Sequence, residues 1–230
     1  MSERLRTEFN QWAADGRGAQ LEWHHRPFLE EMLTRMDIHP RDRILELGCG
    51  EGWASRTLAE LVPQGLVVGL DVSDEMIHNA RVKSSAVENV MFLVGEAEDI
   101  PWKDEFFTHA LSIESFYYYE NPEKALHEIF RVLAPGGTVW LLNHLSKENE
   151  LSLRWVDRLN VPVQVKSAQE YGEMFGQSGF ENYSYEMIPE RSRSAAESQS
   201  KLFSPEEWQR FRETGALLMR ARKPAARSGR

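Results

Sequence analysis

The run RILELGCGEGW (43–53) ends an apolar, strand-like stretch on a carboxylate, Glu46. It then sets glycines at 48, 50 and 52 around a second carboxylate, Glu51. A bend of this kind after the first strand of an α/β protein is a ligand-binding turn. A phosphate-cradling loop is excluded, because it needs Lys and then Ser or Thr after its last glycine, and Trp53 and Ala54 stand there. The dinucleotide spacing G-x-G-x-x-G is missed too, since the third glycine arrives one residue early. Charge points the same way. A unit charge pair at about 4 Å is worth ~4 kcal/mol at an effective dielectric of 20, so two carboxylates disfavour a pyrophosphate and suit a cation. Asp71 closes the next apolar run about 20 residues on, where an acidic side chain accepts hydrogen bonds from both hydroxyls of a ribose. The favoured ligand is a nucleoside that lacks a pyrophosphate and carries a positive centre.

The elements that must position these groups alternate from Asp42 onward. Apolar runs at 43–47, 65–72, 89–95, 107–113 and 138–143 read as strands. Between them, 53–62 reads as a helix burying Trp53, Ala54, Leu58, Leu61 and Val62, and 73–86 as a helix capped by Ser73 with Asp74 and Glu75 in its first turn. The segment 122–133 reads as a helix opened by Pro122 and stopped by LAPGG. Strands alternating with helices of this length imply crossover units and a mostly parallel sheet covered on both faces. Past Asn143 the pattern predicts a helix over 167–179, a strand over 180–188 and a last strand over 215–223, with a polar loop at 190–200. Residues 1–40 precede the sheet as a helical arm or lid, 41–224 form the main domain and 225–230 a flexible tail.

The ordered set ELGCGEGW, GLDVS, GEAEDIPW, ALSIES and RVLAPGGTVWLLN resembles the class I S-adenosylmethionine-dependent methyltransferases, especially their large small-molecule group. The resemblance runs from about Arg41 to Asn143 and more weakly beyond. It implies a Rossmann-like three-layer αβα sandwich whose seven-stranded, mostly parallel sheet has its last strand antiparallel and inserted near one edge. It implies S-adenosylmethionine as cofactor and S-adenosylhomocysteine as product. Carried over by position, Glu46, Gly48, Cys49 and Gly50 hold the methionine part, Asp71 the ribose and Val72 the adenine, with Met76 a further cofactor contact. Glu96 is matched to the adenine amino group, the Ala97 backbone to a ring nitrogen, and Ile113 to the methionine ammonium through its carbonyl. The family often has Asp where Glu96 stands; the longer side chain keeps the acceptor.

Methyl transfer needs desolvation, in-line alignment and, for some acceptors, a base. Glu114 leaves the fourth strand at the site and His144 leaves the fifth at the same edge, so these two are the catalytic candidates. Tyr117 and Tyr118 follow Glu114, and Trp12, Trp23, His24 and His25 lie on the arm that can fold over the ligand; Trp12, Trp23, His24, Tyr117 and Tyr118 are taken as candidate acceptor contacts. Alternation along 117–119 puts some of the tyrosines in the core and one or two in the pocket. The pair His24–His25 is not read as a metal site, since helix neighbours do not share a face and no nearby Asp or Cys completes a set. No metal is expected.

A net charge of −9 argues against phosphate-gripping nucleic-acid recognition, and no apolar run approaches the roughly 18 residues of a membrane span. The single cysteine, Cys49, suits a reducing cytoplasm. The reading is therefore a cytoplasmic monomer or homodimer that acts on a small-molecule acceptor at O, N or C, without nucleic acid or membrane. Two rivals remain: a non-catalytic S-adenosylmethionine-binding module serving as sensor or partner subunit and, more weakly, a nicotinamide dehydrogenase on a similar sheet.

Overall fold

The computed structural model describes residues 3–190 and 202–226. Two helices, α1 (Glu3–Ala14) and α2 (Gly18–Leu33), come first. They are followed by β1 (Arg43–Leu47), α3 (Trp53–Leu61), β2 (Leu66–Asp71), α4 (Asp74–Lys83), β3 (Val90–Val94) and β4 (Phe107–Ile113). The chain continues through α5 (Pro122–Val132), β5 (Leu133–Asn143), α6 (Ala168–Gln177), β6 (Glu181–Ile188), α7 (Pro205–Thr214) and β7 (Ala216–Arg222). Short 3₁₀ turns cover Phe116–Tyr118 and Glu150–Arg158.

The seven strands form one sheet in the order β3-β2-β1-β4-β5-β7-β6. All run parallel except β7, which enters antiparallel between β5 and β6. The expected architecture is therefore present, antiparallel insertion included. Side chains of the central strands β1, β2, β4 and β5 are mostly buried on both faces, as a parallel sheet with helices on either side requires. Leu45, Leu47, Val68 and Leu70 pack with α5 and α6, while Ile44, Val67, Leu111 and Leu142 pack with α2 and α3. A change of one residue along β1 thus moves a side chain from one core to the other.

The strand order fixes where a ligand can sit. From β1 the chain winds out to β2 and β3, then returns to place β4 on the other side of β1. The connections leave in opposite directions at the carboxyl ends of β1 and β4, and that divergence opens a crevice. Register pairs Leu47 with Ser112, so the glycine turn after β1 and Glu114 after β4 emerge side by side.

Local expectations met three departures. Leu61, expected on the buried face of α3, is 42% exposed, because the helix ends there and only its inner turn meets the sheet. LAPGG does end α5, but β5 already pairs at Leu133, and Ala134–Gly137 stand as a bulge opposite Thr108. The third is α7, which falls between two predicted elements in a stretch left unassigned. It opens on a capping box, with Ser204 and Glu207 satisfying each other's backbone N–H groups. Of the expected polar loop only Glu190 is described, and 191–200 lie outside the described residues, as do 227–230 of the expected tail.

Candidate active site

The turn after β1 is shaped by its glycines. Gly48 (φ 68°) and Gly50 (φ 51°) both lie in the left-handed region that favours glycine. At Gly48 there is also no room: a Cβ would stand 2.3 Å from Ser115. At Gly50 the space is open, the nearest atom to such a Cβ being Met76 Sδ at 3.9 Å. The backbone there can approach a ligand closely. The turn is pinned from β2: Leu70 O accepts the Gly48 N–H at 2.7 Å, and Asp71 Oδ2 accepts the Gly50 N–H at 2.8 Å.

Asp71 also accepts the Ser73 N–H through Oδ1 at 2.9 Å. An ionised carboxylate has about four acceptor sites. Asp71 therefore holds the turn and still has lone pairs for the cavity it lines. Burial pushes its pKa up, and the N–H groups of Ser73, Gly50 and Val72 oppose that rise.

The two acidic neighbours of the turn differ in role. Glu46 is buried and accepts a hydrogen bond from Ser55 Oγ. Burial pushes its pKa up to about 7, against the Ser55 hydrogen bond and helped by the nearby Asp71 charge. Such a group gains most from a cation placed beside it. Glu51, by contrast, is neutralised from α4, by an ion pair with Lys83 and a 2.9 Å hydrogen bond from Asn79 Nδ2. The repulsion of anions expected from Glu51 is thus largely cancelled, and the selective charge belongs to Glu46 and Asp71.

Across the crevice, Glu114 sits in a left-handed conformation (φ 54°), uncommon for a side chain-bearing residue and typical of functional strain. Its Oε1 accepts from the His144 backbone N–H at 2.6 Å and stands 2.8 Å from His144 Nδ1. Its Oε2 accepts from the Tyr117 hydroxyl at 3.1 Å. Burial raises the Glu114 pKa, but the facing His144, its hydrogen bonds and the more distant His25 outweigh that, and the carboxyl ends below its usual range. Ionised Glu114 can only accept, so Nδ1 of His144 carries the proton of that contact and Nε2 is left as the basic nitrogen. The imidazole is held edge-on by Phe28 (4.3 Å between centroids) and stacked on Phe211 (5.8 Å).

These groups share one cavity of about 610 Å³. Among the residues expected at the site, it is lined by Glu46, Gly48, Cys49, Gly50, Asp71, Val72, Met76, Ala97, Ile113, Glu114, His144, Trp12, His24, Tyr117 and Tyr118. Glu96 and Trp23 are not among the lining residues. Glu96 is half-buried, bridged through its backbone to Asp99 and flanked by Gly95 and Ala97, which do line the cavity. Trp23 is 45% exposed and meets His24 edge to face. Tyr117, Tyr118 and Tyr119 all reach the cavity, because 116–118 form a 3₁₀ turn and the alternation of an extended run does not apply.

The arm covers the cavity. Phe9 and Trp12 of α1 and Leu21, His24, His25 and Phe28 of α2 line it. Gly18 lies so close to Glu51 that a Cβ would stand 1.8 Å from its Oε2. His25 also joins Glu114 and His144 in a cluster whose donor atoms lie within 4.8 Å of one another. The set that the sequence around EWHHRP lacks is thus completed from the ends of β4 and β5. Trp208 and Phe211 of α7 add a wall that sequence reasoning missed, although SPEE (204–207) carries the capping-box signal for that helix.

Fold and site together define an α/β protein with a cavity at the carboxyl ends of β1 and β4 and a polar pair facing its glycine turn. A family profile described as "Methyltransferase domain" matches residues 45–141. Over 94% of this chain and 98% of its own, a Haloferax volcanii putative methyltransferase solved in complex with the Trm112 methyltransferase activator is 33% identical, with a TM-score of 0.87. A 2-methyl-6-phytyl-1,4-hydroquinone methyltransferase from Oryza sativa is 27% identical over 69% of this chain and 45% of its own length. A fatty-acid O-methyltransferase from Mycolicibacterium smegmatis is 35% identical over 41% of this chain and 34% of its own. The chain thus spans less than half the length of these two curated relatives. It belongs to the class I S-adenosylmethionine-dependent methyltransferase family. Among the described residues, no helix is long and apolar enough to cross a membrane.

Proposed function

We propose that this chain transfers the methyl group of S-adenosylmethionine to a small, largely apolar acceptor presented to the Glu114–His144 pair. The observation that carries the reading is the shared cavity, with the glycine turn and its acidic anchors at one end and the polar pair at the other. In this reading Glu46 and the Ile113 carbonyl take the methionine ammonium, and the Gly48–Gly50 backbone lies along the methionine part with Cys49 filling the turn. Asp71 takes the ribose hydroxyls, Val72 and Met76 pack on adenine, and Glu96 with the Ala97 N–H meets its polar edge. The cofactor supplies an activated methyl group on a positive sulfur.

The chain's own residues align the acceptor, exclude water and receive a proton. Alignment contributes about 7–11 kcal/mol of barrier reduction in favourable cases. His144 Nε2 accepts the acceptor proton, and Glu114 holds the ring and stabilises the imidazolium. A base of this kind adds roughly 10²–10⁴-fold. A volume of about 610 Å³ fits a nucleoside with a modest acceptor rather than a polymer. Leu5, Phe9, Trp12, Leu145 and Leu159 give the acceptor end an apolar wall. The phytyl hydroquinone and fatty-acid acceptors named for two relatives agree with that wall. Incubating the chain with methyl-labelled S-adenosylmethionine and a panel of apolar hydroxyl, amine and carboxyl compounds tests the proposal. Label should move to a member of the panel; tight S-adenosylhomocysteine binding with no transfer would sink it.

A second reading, a subunit that works with a protein partner, is favoured by one relationship. The similar Haloferax chain is bound to an activator, and β3, one of the two edge strands of this sheet, exposes Met91 (44%) and Val94 (37%). Transfer by the purified chain alone would remove the need for it.

A further inference from the structure

His25, Glu114 and His144 come from α2, the end of β4 and the end of β5, and no local stretch of sequence carries more than one of them. Their donor atoms lie within 4.8 Å of one another, inside the cavity. Two imidazoles and one carboxylate form a donor set that suits zinc and neighbouring divalent transition metals and leaves positions open for water or substrate. In a tetrahedral site with bonds of about 2.0–2.1 Å, donor atoms stand about 3.4 Å apart, so a closure of about 1.5 Å at most completes the set. The Glu114 Oε1–His144 Nδ1 pair, hydrogen-bonded at 2.8 Å, opens by about 0.6 Å to reach that spacing as the cation displaces the proton the two share.

The surroundings are those of a supported ligand set. The second oxygen of Glu114 is held by the Tyr117 hydroxyl at 3.1 Å, and its first by the His144 backbone N–H. Phe28 and Phe211 fix the imidazole plane of His144. Side chains of Glu114 and His144 are only 8% and 15% exposed, so a cation there would be shielded from bulk water. Outer contacts of this type orient metal ligands.

We propose that His25, Glu114 and His144 hold a divalent transition-metal cation, zinc by its donor set, and that this cation binds the hydroxyl oxygen of the acceptor. The assignment rests on the reading above that the methyl donor occupies the glycine turn, which places the cation on the acceptor side. Bound to the cation, the acceptor O–H loses its proton to solvent water. A lone pair of the resulting oxyanion forms the O–CH3 bond while the C–S bond breaks and its electron pair stays on sulfur. The positive sulfonium and the negative oxygen are neutralised together. With the cation seated, His144 and Glu114 serve as ligands and the proton goes to solvent rather than to Nε2. The acceptor class is thereby narrowed to compounds bearing a hydroxyl group.

The test uses the whole chain, stripped with a chelator and titrated with Zn²⁺ and Co²⁺. One equivalent is expected to bind, with a visible Co²⁺ spectrum of mixed nitrogen and oxygen ligation. His25→Ala and Glu114→Gln should each lose at least tenfold in affinity and the spectrum with it. His78→Ala, on the exposed face of α4, should bind as the parent chain does. Zn²⁺ should raise the melting temperature of the parent chain but not of His25→Ala. Failure to bind one equivalent, or equal binding by all variants, overturns the proposal. S-adenosylhomocysteine calorimetry on the stripped chain separates the two readings. Cofactor binding without metal binding rejects the cation site alone, whereas lost cofactor binding in a folded chain rejects the placement of the donor.

Discussion

The carboxylate of Glu114 faces His144 twice, accepting its backbone N–H at 2.6 Å and meeting its ring Nδ1 at 2.8 Å. One residue thus fixes both the strand end from which the histidine leaves and the tautomer of its ring. The left-handed backbone of Glu114 turns the side chain back toward β5, and Tyr117 closes the arrangement from the following turn. In the proposed reading the pair belongs to the acceptor side of the cavity.

Replacing Glu114 by Gln puts an amide N–H2 where a carboxylate accepts from three donors, and at least one of them is left unpaired. Turnover should fall about 10²-fold, the lower end of a base's contribution, because His144 loses the carboxylate that orients its ring. The dissociation constant for S-adenosylhomocysteine should change by less than about threefold, since the methyl donor does not rest on this pair. Parallel measurement of kcat and of that constant decides the matter, and an equal loss in both would move Glu114 onto the cofactor.

Asp71→Ala should weaken S-adenosylhomocysteine binding more than tenfold by calorimetry. It removes the acceptor for the ribose and frees the Gly50 and Ser73 N–H groups together. Since a buried N–H left without a partner costs about 1–3 kcal/mol, the melting temperature should fall as well. Unchanged affinity would remove Asp71 from the ribose.

The pH dependence of binding should report Glu46. Burial places its pKa at about 7 without a ligand. A methionine ammonium beside it favours the ionised form, so binding should expel about half a proton at pH 7. Affinity should be level above that pH and fall by about tenfold for each unit below it, since one unit corresponds to 1.36 kcal/mol. Folding stability has the opposite sign: the raised carboxyl pKa favours the ligand-free fold at low pH, and this contribution is lost as pH rises through 7. Calorimetry in buffers of different ionisation enthalpy measures the released proton, and Glu46→Gln should abolish both it and the slope.

Much of this frame can be read from the chain without coordinates, because parallel strands buried on both faces appear as continuous apolar runs and helix starts carry their own polar caps. β4 occupies Phe107–Ile113 as its apolar run predicts, and Ser73 caps α4 by accepting the Met76 N–H. What was hidden depends on residues far apart in sequence. The ion pair from Lys83 to Glu51 cannot be deduced from the turn, nor can the meeting of His25 with Glu114 and His144. Trp208 and Phe211 reach the cavity only because β7 returns between β5 and β6 and brings α7 with it.

The last prediction concerns the arm. α1 places Phe9 and Trp12 on the cavity, yet one contact ties it directly to the cofactor side: Asn10 Oδ1 accepts from Ser73 Oγ at 2.6 Å and from the Glu75 N–H at 3.4 Å. Ser73 follows Asp71 by two residues and caps α4, so the arm is latched to the segment assigned to the ribose. Two residues earlier, Glu8 Oε1 accepts from Asn160 Nδ2 at 3.0 Å and, within the helix, from Trp12 Nε1 at 2.8 Å. In the proposed reading the cofactor lies beneath α1 and leaves when the contacts of Asn10 with Ser73 and Glu75 and of Glu8 with Asn160 open. Asn10→Ala removes a net hydrogen-bond contribution of about 0.5–1.5 kcal/mol from the closed form, equivalent to roughly 2–12-fold in the opening equilibrium. S-adenosylhomocysteine should dissociate faster by that factor, while the melting temperature stays close to that of the parent chain because the sheet and both of its cores are untouched. Stopped-flow displacement followed by tryptophan fluorescence measures the rate, with Trp12 at the cavity as reporter. An unchanged rate would mean that the cofactor leaves by a route that does not require α1 to move.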